Sequence, residues 1–202
     1  LDENVVVELL LNKNNSDFPD VAVVVSDVEN LKRNLLLFTQ IKDLNIPTIL
    51  VINMSDRMRR KGISIDTHKM EQLLHAKVVL VSARKNEGID TLKEHIANYK
   101  TISTSSCVSI EQIDTEYFES LRRTFPKQSL YKLWLVITQD VNFANVERKK
   151  MEAQDASHIR SASFLKRLQQ KETIKRYQFI NSVLKECYVK DIDKATDLRS
   201  KL

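Results

Sequence analysis

The 202-residue sequence predicts an α/β fold: a parallel sheet with crossover helices over residues 1–100, followed by an all-α half over residues 101–202. Three observations carry that expectation. Short apolar runs alternate with amphipathic stretches in the first half, the order that builds right-handed strand–helix–strand units. Both glycines, Gly62 and Gly88, precede residue 100, so the second half lacks the residue that tight turns and sheet-rich folds use most. Charge divides at the same place. Residues 1–100 carry 14 Lys/Arg against 14 Asp/Glu and residues 101–202 carry 18 against 13, so the whole net charge of +5 lies in the second half. The polar stretch Ser103–Ser106 suits a linker.

Each element has its own reason. Asp2–Leu11 reads as a helix entering the sheet, and Val21–Val25, a continuous β-branched run, as a strand covered on both faces. Leu31–Leu44 follows as a helix with Leu31, Leu35, Phe38 and Ile41 on one face, Asn30 as its N-cap, and Asn45 with Pro47 as its stop. Thr48–Met54 is a second buried strand, Asp66 caps a helix through Leu74, Lys77–Val81 is a third strand, and Asp90–Tyr99 closes this half as a helix. Beyond it, Glu111–Phe125 and Leu130–Gln139 read as helices separated by Pro126. From Asn145 to Val189 there is neither Gly nor Pro, which predicts long helices. Within them Ile174, Tyr177, Ile180, Leu184 and Tyr188 recur at helical spacing as a core-facing stripe. No internal repeat is present.

Composition excludes several classes. No apolar run reaches the roughly 18–20 residues of a membrane-spanning helix, which predicts a soluble chain. Cys107 and Cys187 stand far apart without metal-ligand spacing, which predicts two reduced thiols. A first residue of Leu1 rather than Met, with no signal-peptide pattern after it, predicts a piece of something longer.

Two motifs carry chemistry. Asn53-Met54-Ser55-Asp56 directly follows an apolar strand, where open parallel sheets bind their ligands. A carboxylate there accepts from both N1–H and the 2-amino group of guanine, which adenine cannot offer in that arrangement. Asn53 can pair with the base and brace neighbouring loops. The second motif, Ser82-Ala83-Arg84, follows the next strand. Ala83 is small enough for its backbone N–H to approach a base carbonyl, and Ser82 can steady Asp56. Each motif alone is weak, since Asn and Asp are common in loops. Two motifs at adjacent strand ends, 26 residues apart from Asp56 to Ser82, are far more specific.

These residues resemble the base-recognition motifs of small-GTPase-like G domains. Residues 21–96 are more similar still to the ferrous iron transport protein B family. The matching runs are Ser-Asp-Val-Glu-Asn-Leu-Lys-Arg-Asn-Leu (26–35), Asn-Ile-Pro (45–47), Lys-Gly-Ile-Ser-Ile-Asp (61–66) and Ser-Ala-Arg-Lys-Asn-Glu-Gly-Ile-Asp (82–90). Lys175–Ile180 resembles the last long helix of that family's cytosolic region, and residues 101–170 resemble it weakly. The resemblance implies a partial P-loop GTPase-like sheet over 1–100, the guanine-recognition half, and a helical, GDI-like domain over 101–202 that favours the GDP-bound form. Asn53, Met54, Asp56, Ser82, Ala83 and Arg84 would then form the guanine site.

It further implies GTP/GDP as ligand, GTP hydrolysis coupled to Fe(II) uptake in the longer protein, and a place at the cytoplasmic face of the bacterial inner membrane. The partner is the membrane-embedded portion of the same transporter. A homo-oligomer is compatible with it, and nucleic acid is not expected. Met54 departs from the Lys that most G domains carry there, although this family often has Met; it can stack on a purine but brings no charge. A larger departure is the absence of any G-x-x-x-x-G-K-[ST] loop or Asp-x-x-Gly switch. In G domains those elements precede the strand matching Val21–Val25, and Leu1-Asp2-Glu3 resembles the stretch after the second switch. The phosphates and Mg²⁺ would therefore be held by residues absent from this chain, which should not turn over GTP alone.

Other constellations are weaker. His68, Glu71 and His75 share a predicted helix face, a spacing that exposed polar residues explain as well as a metal would. His95 and His158 have no evident partners. Arg57–Lys61, Arg148–Lys150 and Lys166-Arg167 are basic runs that read as solvated or as suited to anionic headgroups. Two rival functions stand beside the main one. One is a G-domain protein acting on RNA or the ribosome; the other is a helical interaction module on a degenerate G-like domain.

Overall fold

The computed structural model describes residues 2–191 together with Asp193 and Ala195. Leu1 and residues 196–202, parts of the two predicted halves, lie outside this set. In chain order the elements are α1 (Asp2–Leu11), β1 (Ala22–Asp27), α2 (Leu31–Lys42), β2 (Thr48–Asn53), α3 (Met58–Lys61), β3 (Ile63–Ile65), α4 (Thr67–Leu74), β4 (Lys77–Leu80), α5 (Ile89–Ala97), α6 (Thr115–Thr124), α7 (Leu130–Thr138), α8 (Asn142–Asp155), α9 (Ala162–Cys187) and β5 (Tyr188–Lys190). Among the described residues no helix is long and apolar enough to cross a membrane.

The chain divides into two compact units, but not at residue 100. One unit is residues 20–107 with the described residues from Arg176 onward; the other is the segment ending at Pro19 with Val108–Lys175. The opening helix, read as entering the sheet, belongs instead to the helical unit, where Glu8 accepts from the Phe143 amide at 2.9 Å. The second half is not all helix either, since β5 pairs antiparallel with β3.

The sheet unit is built on three parallel strands in the order β1-β2-β4. β2 is central, and five of its six residues are buried. Register pairs Asp27 with Asn53 and Ile52 with Leu80, so the carboxyl ends of the strands finish together. Ile49, Val51, Val79, Val81 and Ile102 form a core on one face, with Leu92 of α5 against it. β1 is less covered than a parallel strand should be, because it lies at the edge of this sheet: Val24 and Ser26 are buried while Val23 and Val25 are exposed.

α2 buries Leu31, Leu35, Phe38 and Ile41, as the periodicity predicts. Asn30 does not cap it through its side chain. Asp27 does the local work, accepting from the Glu29 and Asn30 amides at 2.9 and 2.8 Å and from the Asn30 side chain at 2.8 Å. Asp66 does cap α4, accepting from the Lys69 amide at 2.9 Å.

The predicted stripe on α9 lies about one position off the observed one. Ile174 is 58% exposed, and the buried positions are Leu168, Glu172, Arg176, Ile180, Val183 and Cys187. Two of them are charged. In the helical unit Glu172 accepts from Trp134 Nε1 at 2.7 Å, beside edge-on aromatic contacts joining Tyr117, Phe118 and Trp134. In the sheet unit Arg176 pairs with Asp43 at 2.7 Å, each side chain 1% exposed, and the Cys107 amide donates to the other Asp43 oxygen at 2.6 Å. Beside it, buried Lys42 donates to the Ser103 carbonyl, so the stretch read as a linker is tied to the sheet unit. Cys107 and Cys187 are free thiols. Burial, reinforced by Asp43, pushes the Cys107 thiol up to about 12.

Candidate functional site at the ends of β2 and β4

The chain leaves β2 through a left-handed residue. Met54 has φ 63°, which turns the backbone into a single 3₁₀ turn, Ser55–Arg57, and brings Asp56 back over the strand ends. A non-glycine residue held there stores strain, and such strain concentrates at functional loops. Backbone bonds fix the turn to the neighbouring strand: the Ser55 amide donates to the Val81 carbonyl at 3.0 Å, and the Val81 amide to the Ile52 carbonyl at 2.9 Å.

The second loop is pinned as firmly. Ser82 and Glu87 exchange both backbone bonds at 3.1 Å, closing the loop that carries Ala83, Arg84 and Lys85. Gly88 ends it at φ 76°, where a Cβ would stand 2.2 Å from the Leu80 carbonyl oxygen. Only glycine fits there. Gly88→Ala is expected to cost at least about 1–2 kcal/mol from the left-handed backbone alone and to displace the loop. A thermal melt and a comparison of the Ala83 amide chemical shift check both effects.

Side chains then join the two loops. Asn53 Oδ1 accepts from the Ala83 amide at 3.1 Å, Asp56 Oδ1 accepts from Ser82 Oγ at 3.0 Å, and Asp56 Oδ2 accepts from Arg84 Nη2 at 2.8 Å. The sequence-predicted residues Asn53, Asp56, Ser82, Ala83 and Arg84 are thus brought together, with half-buried Met54 at the turn between Asn53 and Asp56. Ser82 steadies Asp56 as expected. The Ala83 amide is engaged by Asn53 rather than unengaged, so Asn53 braces the second loop by occupying that donor. The contact of Arg84 with Asp56 carries no sequence signal beyond the presence of a cation in the motif.

The Ser82 hydrogen bond, and after it the Arg84 charge, hold the Asp56 carboxyl below the usual carboxylate range, against the opposing pull of burial. A carboxyl depressed in the folded chain contributes stability that is present above its unfolded value and is lost as pH falls through its folded value. Asp56 is therefore expected to stay ionised through the ordinary range of aspartates. A carboxyl carbon NMR titration checks this, with Ser82→Ala moving the midpoint upward.

The His68, Glu71 and His75 face is occupied by structure. Gln72 Nε2 lies 3.0 Å from the His68 ring, Glu71 accepts from the Val78 amide at 3.0 Å and pairs with Lys77 at 3.6 Å, and His75 ends α4 at φ 50°. Among the described residues, no group of three or more His, Cys, Asp or Glu side chains is placed to hold a metal ion.

A parallel sheet with crossover helices, carrying paired strand-end motifs of this kind, has the fold of a G domain. Residues 1–96 match the family model for ferrous iron transport protein B. Among curated relatives, the Fe(2+) transporter FeoB of Leptospira biflexa is 36% identical over 92 residues, 46% of this chain and 13% of that protein. The Escherichia coli K12 Fe(2+) transporter FeoB is 30% identical over 126 residues, 62% of this chain and 16% of that protein. The chain thus spans only a small part of the curated relatives it matches. Among solved structures, the cytosolic domain of the T. maritima FeoB iron transporter superposes with TM-score 0.78 at 17% identity, covering 94% of this chain and 74% of that one. The cytosolic domain of L. pneumophila FeoB gives 0.69 at 24% identity, covering 94% and 74%. At these identities the two likenesses speak for the fold.

Proposed function

We propose that the sheet unit reads a guanine nucleotide at the ends of β2 and β4, within a longer protein that couples GTP hydrolysis to ferrous iron uptake. The observation that carries this reading is the double brace between the loops: Asn53 to the Ala83 amide and Ser82 to Asp56. It holds the Asp56 carboxylate and the Ala83 amide together on adjacent strand ends before any base arrives, which limits the ordering that binding must cost. Asp56 accepts from guanine N1–H and the 2-amino group. When the base enters, the Ala83 amide turns its single hydrogen from Asn53 Oδ1 to the base carbonyl, the released Asn53 side chain pairs with the base, and Met54 lies along the ring. Adenine presents a lone pair at N1 and no 2-amino donor, so it would leave the carboxylate desolvated and unpaired.

The curated relatives are Fe(2+) transporters, and the cytosolic domain of T. maritima FeoB has been solved in GDP and GMPPNP forms. Those ligands support a guanine nucleotide here. Mg²⁺ is a different matter. The chain has no phosphate loop, no Asp-x-x-Gly switch and, among the described residues, no acidic cluster able to hold a metal, so these residues do not fit Mg²⁺ and no hydrolytic step follows from them. In the longer protein those roles fall to other residues. The helical unit couples nucleotide state to a membrane-embedded portion of the same transporter at the cytoplasmic face of the inner membrane.

Displacement of a fluorescent guanine nucleotide from the chain by GMP or AMP tests the base reading. GMP is expected to displace it at a concentration roughly tenfold or more below AMP; equal displacement would refute guanine recognition.

A further inference from the structure

We propose that Arg84 competes with the base for Asp56, so that the second loop carries its own weakener of guanine binding. The inference rests on the guanine reading above. Asp56 has its two oxygens divided: Oδ1 takes the Ser82 hydroxyl at 3.0 Å and Oδ2 takes Arg84 Nη2 at 2.8 Å. The Asp56 side chain is 7% exposed, whereas the Arg84 side chain is 73% exposed. The guanidinium therefore reaches in from solvent to a carboxylate that is itself largely covered.

A base that offers two N–H groups needs both oxygens. Ser82 can share Oδ1, because a hydroxyl uses one lone pair and brings no charge. Arg84 is the harder neighbour, since its cation crowds an incoming N–H donor and satisfies the lone pairs that donor would use. For the base to bind fully, the guanidinium has to swing out or share its oxygen.

Contacts other than Arg84 hold the shape of the loop. The Ser82–Glu87 exchange and the left-handed Gly88 already fix the loop, Asn53 fixes the Ala83 amide, and Lys85 is paired within the loop to Glu87 at 3.8 Å. A structural role for the pair is thus redundant, while its overlap with the base-reading oxygens is direct. An ion pair whose cation is solvated is weak enough to be displaced by a ligand, which suits a group that tunes affinity without abolishing it.

The test uses the full chain and its Arg84→Ala variant, each titrated with GMP and with AMP. GMP is expected to bind the variant about two- to five-fold more tightly, the range open to an ion pair with a solvated cation, with AMP not gaining and the melting temperature unchanged. GMP affinity that stays the same or falls in the variant, while GMP is still preferred over AMP, overturns the competition and leaves the base reading intact. A fall in both GMP affinity and melting temperature assigns Arg84 a structural role and likewise overturns it. Failure of either protein to prefer GMP over AMP removes the guanine reading itself, and the competition with it.

Discussion

Asp56→Asn is expected to lower GMP affinity at least about tenfold and to shift preference toward xanthosine monophosphate. The substitution turns one of two acceptors into an amide donor, which then faces the 2-amino group of guanine donor against donor. Loss of a charge-assisted bond and creation of a clash act in the same direction. Xanthine carries a carbonyl at that position and can accept from the new amide. The remaining Asn oxygen can still take the Ser82 hydroxyl, so the loop pairing at 3.0 Å has a replacement acceptor and the fold should survive. Competitive displacement with the two monophosphates reads the outcome. Unchanged GMP affinity in a folded variant would mean that Asp56 does not touch the base.

The largest stability effect should come from Arg176→Leu. Arg176 and Asp43 are each 1% exposed and meet at 2.7 Å, so removing the cation takes the direct charge partner from a carboxylate in the interior. Breaking a buried pair from one side costs about 3–5 kcal/mol, which for a chain of this length lowers Tm by roughly 6–20 °C. Asp43 also accepts from the Cys107 amide and neighbours Lys42, whose head reaches the Ser103 carbonyl, so the loss should loosen the return of the chain after the sheet. The double change Asp43→Leu with Arg176→Leu should recover part of the loss, because both members of the buried pair are gone and Lys42 keeps the Ser103 carbonyl. Thermal melts of the three variants check this; a double variant less stable than either single would show that the polar partners matter more than the burial.

What the sequence disclosed follows from how local each signal is. α2 was legible because Leu31, Leu35, Phe38 and Ile41 keep strict helical spacing, and β2 because the apolar run Ile49–Ile52 behind β-branched Thr48 allows little else. The site was legible because both motifs sit where strands end, a position that the alternation of elements already fixes. Contacts distant in sequence were not legible. β5 pairs with β3 across some 125 residues, and nothing in Tyr188-Val189-Lys190 marks it as a strand rather than the end of a helix. The α9 stripe was misplaced because two of its buried positions are Glu172 and Arg176, and hydrophobic spacing cannot see a charge buried against a partner. The unit boundary failed for a related reason: glycine content and charge change near residue 100, but α1 joins the helical unit and the chain beyond Arg176 joins the sheet. Asn30 looked like a cap by residue type, and the better placed Asp27 took the role.

The central claim is that the ends of β2 and β4 together receive the guanine base. Backbone amide NMR of the chain titrated with GMP measures it directly. Concentration-dependent shifts of the Asn53–Arg57 and Ser82–Arg84 amides are expected, largest at Ala83, with AMP leaving them nearly still. Shifts confined to other parts of the chain, or equal shifts at Ala83 with AMP, would contradict it.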